Sequence, residues 1–199
     1  MVMSMGAEGA AHDDDDDAAL CHVPARPLSR DRDHRRARDD ALMTTVSSEI
    51  EIDAPPDDVY AVIADVTRTG EWSPECVRCR WLGDATHAVR GARYRGVSRN
   101  GWRRWSTTST IRAASPGQEL VWDVTYLGRP VARWRYDLAR IDGDRTRLTE
   151  SVVDRRERWL EIVSPWVTGS RDRAARNAAT MQTTLQRIKA IVERAPQAS

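Results

Sequence analysis

The stretch 46-VSSEIEIDAPPDDVYAVIADV-66 changes its period halfway, and that change decides the fold. Val46, Ser48, Ile50 and Ile52 lie on one side of an extended chain, and Ser47, Glu49, Glu51 and Asp53 on the other. Such alternation marks a half-buried strand. Ala54-Pro55-Pro56 ends it, because proline cannot donate to a ladder but suits the first turn of a helix. Asp57 and Asp58 then sit at the positive end of a helix dipole. Val59, Val62, Ile63 and Val66 recur at helical spacing. A strand therefore runs directly into a short helix.

Working outward, the alternation returns six times. A strand near 77–82 follows a connection through Gly70 and Pro74, with room there for a second short helix. Strands 92–99 and 102–111 flank Asn100-Gly101, the strongest short hairpin signal. Strands 119–127, 131–141 and 146–154 are separated by Gly128-Arg129-Pro130 and Asp142-Gly143-Asp144. Tyr94, Trp105, Trp122, Trp134, Tyr136 and Leu148 share one face; Arg104, Arg112, Asp123, Arg133 and Arg147 share the other. One covered face and one wet face are what an antiparallel sheet requires. Near the end, Ala174, Ala178, Met181, Leu185, Ile188 and Val192 form a single apolar stripe along a helix. The expected fold is α+β: a seven-stranded antiparallel sheet curled around a long C-terminal helix, so that both apolar faces are buried.

That order of elements resembles the START-like helix-grip superfamily (SRPBCC), in its polyketide cyclase/dehydrase and lipid-transport branch. The resemblance is carried by 50-IEIDAPPDDVYAVIADV-66, 71-EWSPECVRCRW-81, 101-GWRRWSTTSTI-111, 132-ARWRYDL-138, 146-TRLTES-151 and 181-MQTTLQRIKAIV-192, and spans roughly residues 44–194. It implies a deep cavity between sheet and long helix that binds an apolar or aromatic small molecule. The expected ligand is hydrophobic and ring-containing, lipid or polyketide-like, and no cofactor is expected.

Composition sets the outer limits. The 199 residues are 31% charged and 40% apolar, with a formal net charge of +1, which argues against a nucleic-acid binder. Residues 1–42 hold ten acids, including Asp13 to Asp17, against six arginines, and lack periodic apolar positions. They are expected to be disordered. Met43 opens the first structured segment, and translation starting there is an expectation that native peptides from 1–42 would overturn. The domain is expected over 43–195, with 196–199 a disordered end. No apolar run approaches the roughly 18 residues of a membrane span. The aspartate run stands where a signal peptide needs apolar residues. A cytoplasmic monomer or homodimer follows as the expectation.

Within the body, the eight tryptophans and the absence of phenylalanine stand out. Indoles are efficient core formers, but inward-facing N–H and O–H groups need partners. Tyr94, Trp105, Trp122, Trp134 and Tyr136, with polar Thr107 and Glu150 on the same face, are therefore candidate ligand-binding residues. Glu150 is the sharpest: an inward carboxylate is costly unless it meets an arginine, a ligand or a reaction that needs a proton carrier. It is the candidate catalytic residue if the protein is a polyketide cyclase-like enzyme. A third possibility is an interaction protein that offers its arginine-rich outer face to an acidic partner.

Cys76 and Cys79 lack the further ligands of a structural zinc site, since Cys21, His12, His22 and His34 lie in the tail and His87 stands alone. No metal is expected. Residues three apart on a strand point to opposite faces, so the pair is expected to be two reduced structural thiols. The stretch 155–169, with Trp159, Leu160, Ile162, Val163, Trp166 and Val167, is too apolar for an exposed loop and is expected to form a lid over the cavity mouth, ahead of a helical turn packed on the body or a dimer patch.

Overall fold

The structure, a computed structural model, describes residues 45–156 and 173–194. The expectations placed on 1–42, on 157–169, on the side chain of Ala174 and on 196–199 lie outside the described residues.

The chain runs β1 (Thr45–Ile52), α1 (Pro56–Ala64), a 3-10 turn (Val66–Glu71), β2 (Cys76–Leu82), β3 (Arg93–Asn100), β4 (Arg103–Ser115), β5 (Glu119–Tyr126), β6 (Arg129–Arg140), β7 (Thr146–Asp154) and α2 (Arg173–Val192). One seven-stranded sheet has the order β1-β7-β6-β5-β4-β3-β2, every neighbour antiparallel. Strands β2 to β7 form a meander, and β1 closes onto β7. This is the helix-grip α+β arrangement expected from the pattern. The β3–β4 turn is Gly101-Trp102, one residue later than the Asn100-Gly101 signal places it: Asn100 still pairs with Arg103, and Gly101 takes φ 58° at the first turn position.

The first helix ends earlier than its apolar spacing suggests. α1 stops at Ala64 because the Asp65 carboxylate accepts from Thr67 N at 3.1 Å and from Thr67 Oγ1 at 2.5 Å. A local side-chain bond of that kind competes with the helical ladder. Val66 is still buried, but from the 3-10 turn. At the start of α1, Asp57 meets the β4–β5 turn: a Cβ on Gly117, whose φ is +66°, would lie 2.6 Å from Asp57 Oδ1. Glycine at that turn allows both the left-handed backbone and the close approach of the helix.

α2 lies chiefly against β1, with α1 and β7 beside it. Its C-terminal half carries Leu185, Ile188 and Val192 into a core with Ile52, Ile111 and Leu148, all essentially inaccessible. Thr146 Oγ1 donates to Ala54 O at 2.7 Å inside that core. Glu193 Oε1 accepts from Asp53 N at 2.9 Å and ties the helix end to β1. The N-terminal half of α2 is held differently, by an ion pair between Arg176 and Glu75.

The outer face of the sheet is divided by charge. On β4 to β6, Asp123 takes ion pairs from Arg112 and Arg133 at 2.7 Å each, and Arg135 pairs with Glu119 and Asp137. On β2, β3 and the start of β4, exposed Arg78, Arg80, Arg93, Arg95, Arg99 and Arg104 have no acidic partner among the described residues. The register sets Arg80 directly opposite Arg95 and Arg99 opposite Arg104. Among the described residues, no helix is long and apolar enough to cross a membrane.

Candidate ligand cavity

A cavity of about 240 Å³ opens between the concave face of the sheet and the N-terminal half of α2. An apolar void of about 150 Å³ already admits a benzene ring, so this one has room for a larger molecule. Tyr94, Trp105, Thr107, Trp122, Trp134, Tyr136 and Glu150 all line it. Strand alternation brings them together, and cross-strand register orders them. Trp122 faces Trp134, and the two indoles stack with centroids 6.4 Å apart and planes 10° from parallel. Tyr136 leans on Trp122 at 5.4 Å.

Glu150 sits across the β6–β7 ladder from Tyr136. It is 4% exposed, and Tyr136 Oη donates to its Oε1 at 3.2 Å. Its Oε2 has no hydrogen-bond partner among the described residues. No arginine forms an ion pair with it there, so the simplest structural fate of an inward carboxylate is not realised. Burial raises its pKa to about 8, against the pull of the Tyr136 hydrogen bond. Burial likewise raises the Tyr136 hydroxyl, with the Glu150 charge adding to it, and raises Tyr94 against a hydrogen bond from Ser109. Near neutrality Glu150 therefore carries its proton most of the time, and Oε2 offers the cavity a group that can donate or accept.

Several lining residues escaped the sequence reading. Asn177, Thr180 and Thr184 of α2 turn toward the cavity beside Met181. Their spacing of three and four is a signal the sequence does contain, a polar stripe bordering the apolar one. It was hidden because the apolar residues alone define a helix face. Trp72, buried at the end of the 3-10 turn, also reaches the cavity.

The reading of the two thiols needs correction. Cys76 pairs with Ser98, Arg78 with Val97 and Cys79 with Gly96, so three steps along β2 match two along β3. This β-bulge restores both cysteines to one face. Both line the cavity, with Sγ atoms 3.4 Å apart. Nothing in the spacing of the two residues announces a bulge, which is a property of the pairing with β3.

The arrangement, an aromatic cavity gripped between a curled sheet and a helix, can be compared with known families. Residues 43–193 match the family model described as polyketide cyclase / dehydrase and lipid transport. The chain belongs to that family. Among solved structures, the polyketide-cyclase-like protein Cgl2372 from Corynebacterium glutamicum is 30% identical over 75% of this chain and 89% of its own, with a TM-score of 0.48. A START superfamily protein from Mycobacterium smegmatis is 12% identical, covers 76% and 99% of the two chains, and has a TM-score of 0.58. The Zhui aromatase/cyclase from Streptomyces sp. R1128 is 19% identical, with coverage of 76% and 94% and a TM-score of 0.55. The last two show the shared fold of this polyketide cyclase/dehydrase family member. Among curated proteins, none matches its sequence.

Proposed function

We propose that the protein binds a hydrophobic, ring-containing small molecule in this cavity, with Glu150 as its polar anchor. One observation carries the reading: a buried carboxyl oxygen without a partner among the described residues, set among stacked indoles in a space large enough for a ligand. An orphan of this kind costs on the order of 1–3 kcal/mol, which a ligand carbonyl or hydroxyl would recover. The ring walls supply burial and shape, and one convergent polar group fixes orientation, as in most small-molecule sites. Membership of the family, and likeness to an aromatase/cyclase, support the same substrate class.

The same cavity also suits catalysis. A carboxyl with a pKa near 8 exchanges its proton readily at physiological pH, as a general acid–base group for carbon–carbon condensation and dehydration must. Holding reacting carbons in contact would add to that. Titration of tryptophan fluorescence with a panel of lipids and aromatic polyketides tests both versions. Saturable binding that weakens roughly tenfold in Glu150→Gln, about 1.4 kcal/mol, supports the anchor. A Glu150→Gln protein that still binds but no longer converts a poly-β-ketone substrate supports the enzyme. Fluorescence unmoved by every compound removes the ligand reading.

A second reading, an acidic partner on the outer face, is favoured by the six exposed arginines on β2 to β4 that have no acidic partner among the described residues. Capture of partners from source-cell extract that is lost at high salt, and lost in Arg80→Glu/Arg95→Glu, supports it. Salt-insensitive capture removes it.

A further inference from the structure

The bulge in β2 does more than reorient two side chains. It places two free thiols in one cavity wall with their Sγ atoms 3.4 Å apart, within S–H···S hydrogen-bond distance. Closing that gap to a disulfide of about 2.05 Å is a movement of little more than an ångström. Gly96 stands across the ladder from Cys79, and a Cβ there would lie 3.5 Å from Cys79 Sγ and 3.6 Å from Thr107 Oγ1. Glycine is not required by the backbone at this position, since its φ is not left-handed. Gly96 and Cys79 both line the cavity.

We propose that Cys76 and Cys79 are a redox-active dithiol that a hydroperoxide entering the cavity oxidises to a reversible disulfide. Cys79 Sγ attacks one peroxide oxygen and breaks the O–O bond. The other oxygen leaves as an alcohol, or as water from hydrogen peroxide, with the proton given up by the thiol. Cys79 is then a sulfenic acid. Cys76 Sγ attacks Cys79 Sγ, displaces the hydroxyl as water and forms the S–S bond. Two thiols lose two electrons and two protons, and the hydroperoxide is reduced to alcohol and water. An external thiol reverses the change by exchange.

The electrostatics divide the roles in the same order. The S–H of Cys76 donates to Cys79 and, against burial, holds the Cys79 thiol below its usual range. Thr69 assists when its hydroxyl, otherwise donating to Val66 O at 2.7 Å, turns to the sulfur. The Cys79 partnership and burial push Cys76 up. Cys79 is the better thiolate and hence the first nucleophile. This chemistry does not depend on which ligand the cavity takes.

The test uses the full chain with Cys21→Ser, so that only the cavity thiols react. The reduced protein is treated with hydrogen peroxide, quenched with iodoacetamide and weighed intact. The expected product has lost two hydrogens, takes up no alkyl group and returns to the dithiol form with dithiothreitol. Peptide mapping should place the link between Cys76 and Cys79. Adding Cys76→Ser should stop the reaction at a sulfenic acid on Cys79 that dimedone traps. Because two cysteines so close in sequence can also join in an unfolded chain, the rate is compared in urea, and the folded protein should oxidise faster. Two alkylatable thiols after excess peroxide, overoxidation of one cysteine without a disulfide, or a faster reaction in urea would each overturn the proposal.

Discussion

At the scale of the residue, Glu150 ties the site to a measurable property of the free protein. Its pKa rises from 4.5 to about 8 on folding, because burial penalises the ionised form more than Tyr136 favours it. Below pH 4.5 the carboxyl is protonated in both states and imposes no cost. Between the two values the unfolded chain releases a proton that the folded chain keeps, so stability falls as pH rises. The slope from this one group is at most about 1.4 kcal/mol per pH unit, and it levels off above pH 8. Glu150→Gln cannot ionise and should lack this component. Melting temperatures of the two proteins from pH 4 to 9 should diverge as pH rises, with the variant the more stable at pH 8. Parallel profiles would mean that the carboxyl is not held neutral by the fold. Tyr136→Phe removes a hydrogen bond to the ionised form, so the folded pKa should rise further and the decline should continue to higher pH at the same limiting slope.

At the scale of the element, α2 is two half-helices with different duties, and each predicts a different mutant. Leu185 is wholly buried in the core with Ile188 and Leu148. Leu185→Ala should cost about 2–5 kcal/mol, read by urea unfolding, because the site is packed on all sides. Thr180, five residues earlier, borders the cavity, and among the described residues its hydroxyl bonds only back to the Arg176 and Asn177 carbonyls at 3.0 Å. Thr180→Val should change stability by less than about 1 kcal/mol while altering which compounds bind. Equal losses from both would show that the cavity half is packed core after all. The β4–β5 turn gives a third case. Gly117→Ala must place a Cβ against Asp57 with a left-handed backbone, and should cost about 1–3 kcal/mol. These half-helix duties also mark the limit of the sequence. The apolar stripe from Met181 to Val192 and the strand alternation are local periodicities, and both were legible. The bulge at Cys76 and the inward turn of Asn177 depend on partners distant in sequence, and were not.

At the scale of the whole molecule, the near-neutral net charge of +1 conceals a sheet with two electrostatic halves. Summed composition argued against a polyanion partner, yet charge acts where it is placed. From β4 to β6 the outward acids Glu119, Asp123 and Asp137 all pair with arginines, and Asp123 shows the effect: burial would raise its pKa, but hydrogen bonds and charge from Arg133 and Arg112 hold it low. On β2 to β4, Arg78, Arg80, Arg93, Arg95, Arg99 and Arg104 have no acidic partner among the described residues, with Arg80 opposite Arg95. Like charges directly opposite on a sheet oppose folding by roughly 0.2–1 kcal/mol, so this half gives up stability. Arg95→Glu replaces repulsion with a cross-strand ion pair and should raise the melting temperature at low salt. The gain should shrink as salt rises toward a Debye length of about 3 Å near 1 M. If the variant is instead less stable, the arginines are satisfied by neighbours or by their own stacking on the sheet. If it is more stable and loses salt-sensitive partner capture, stability and recognition compete at one surface, on the opposite side of the sheet from the cavity.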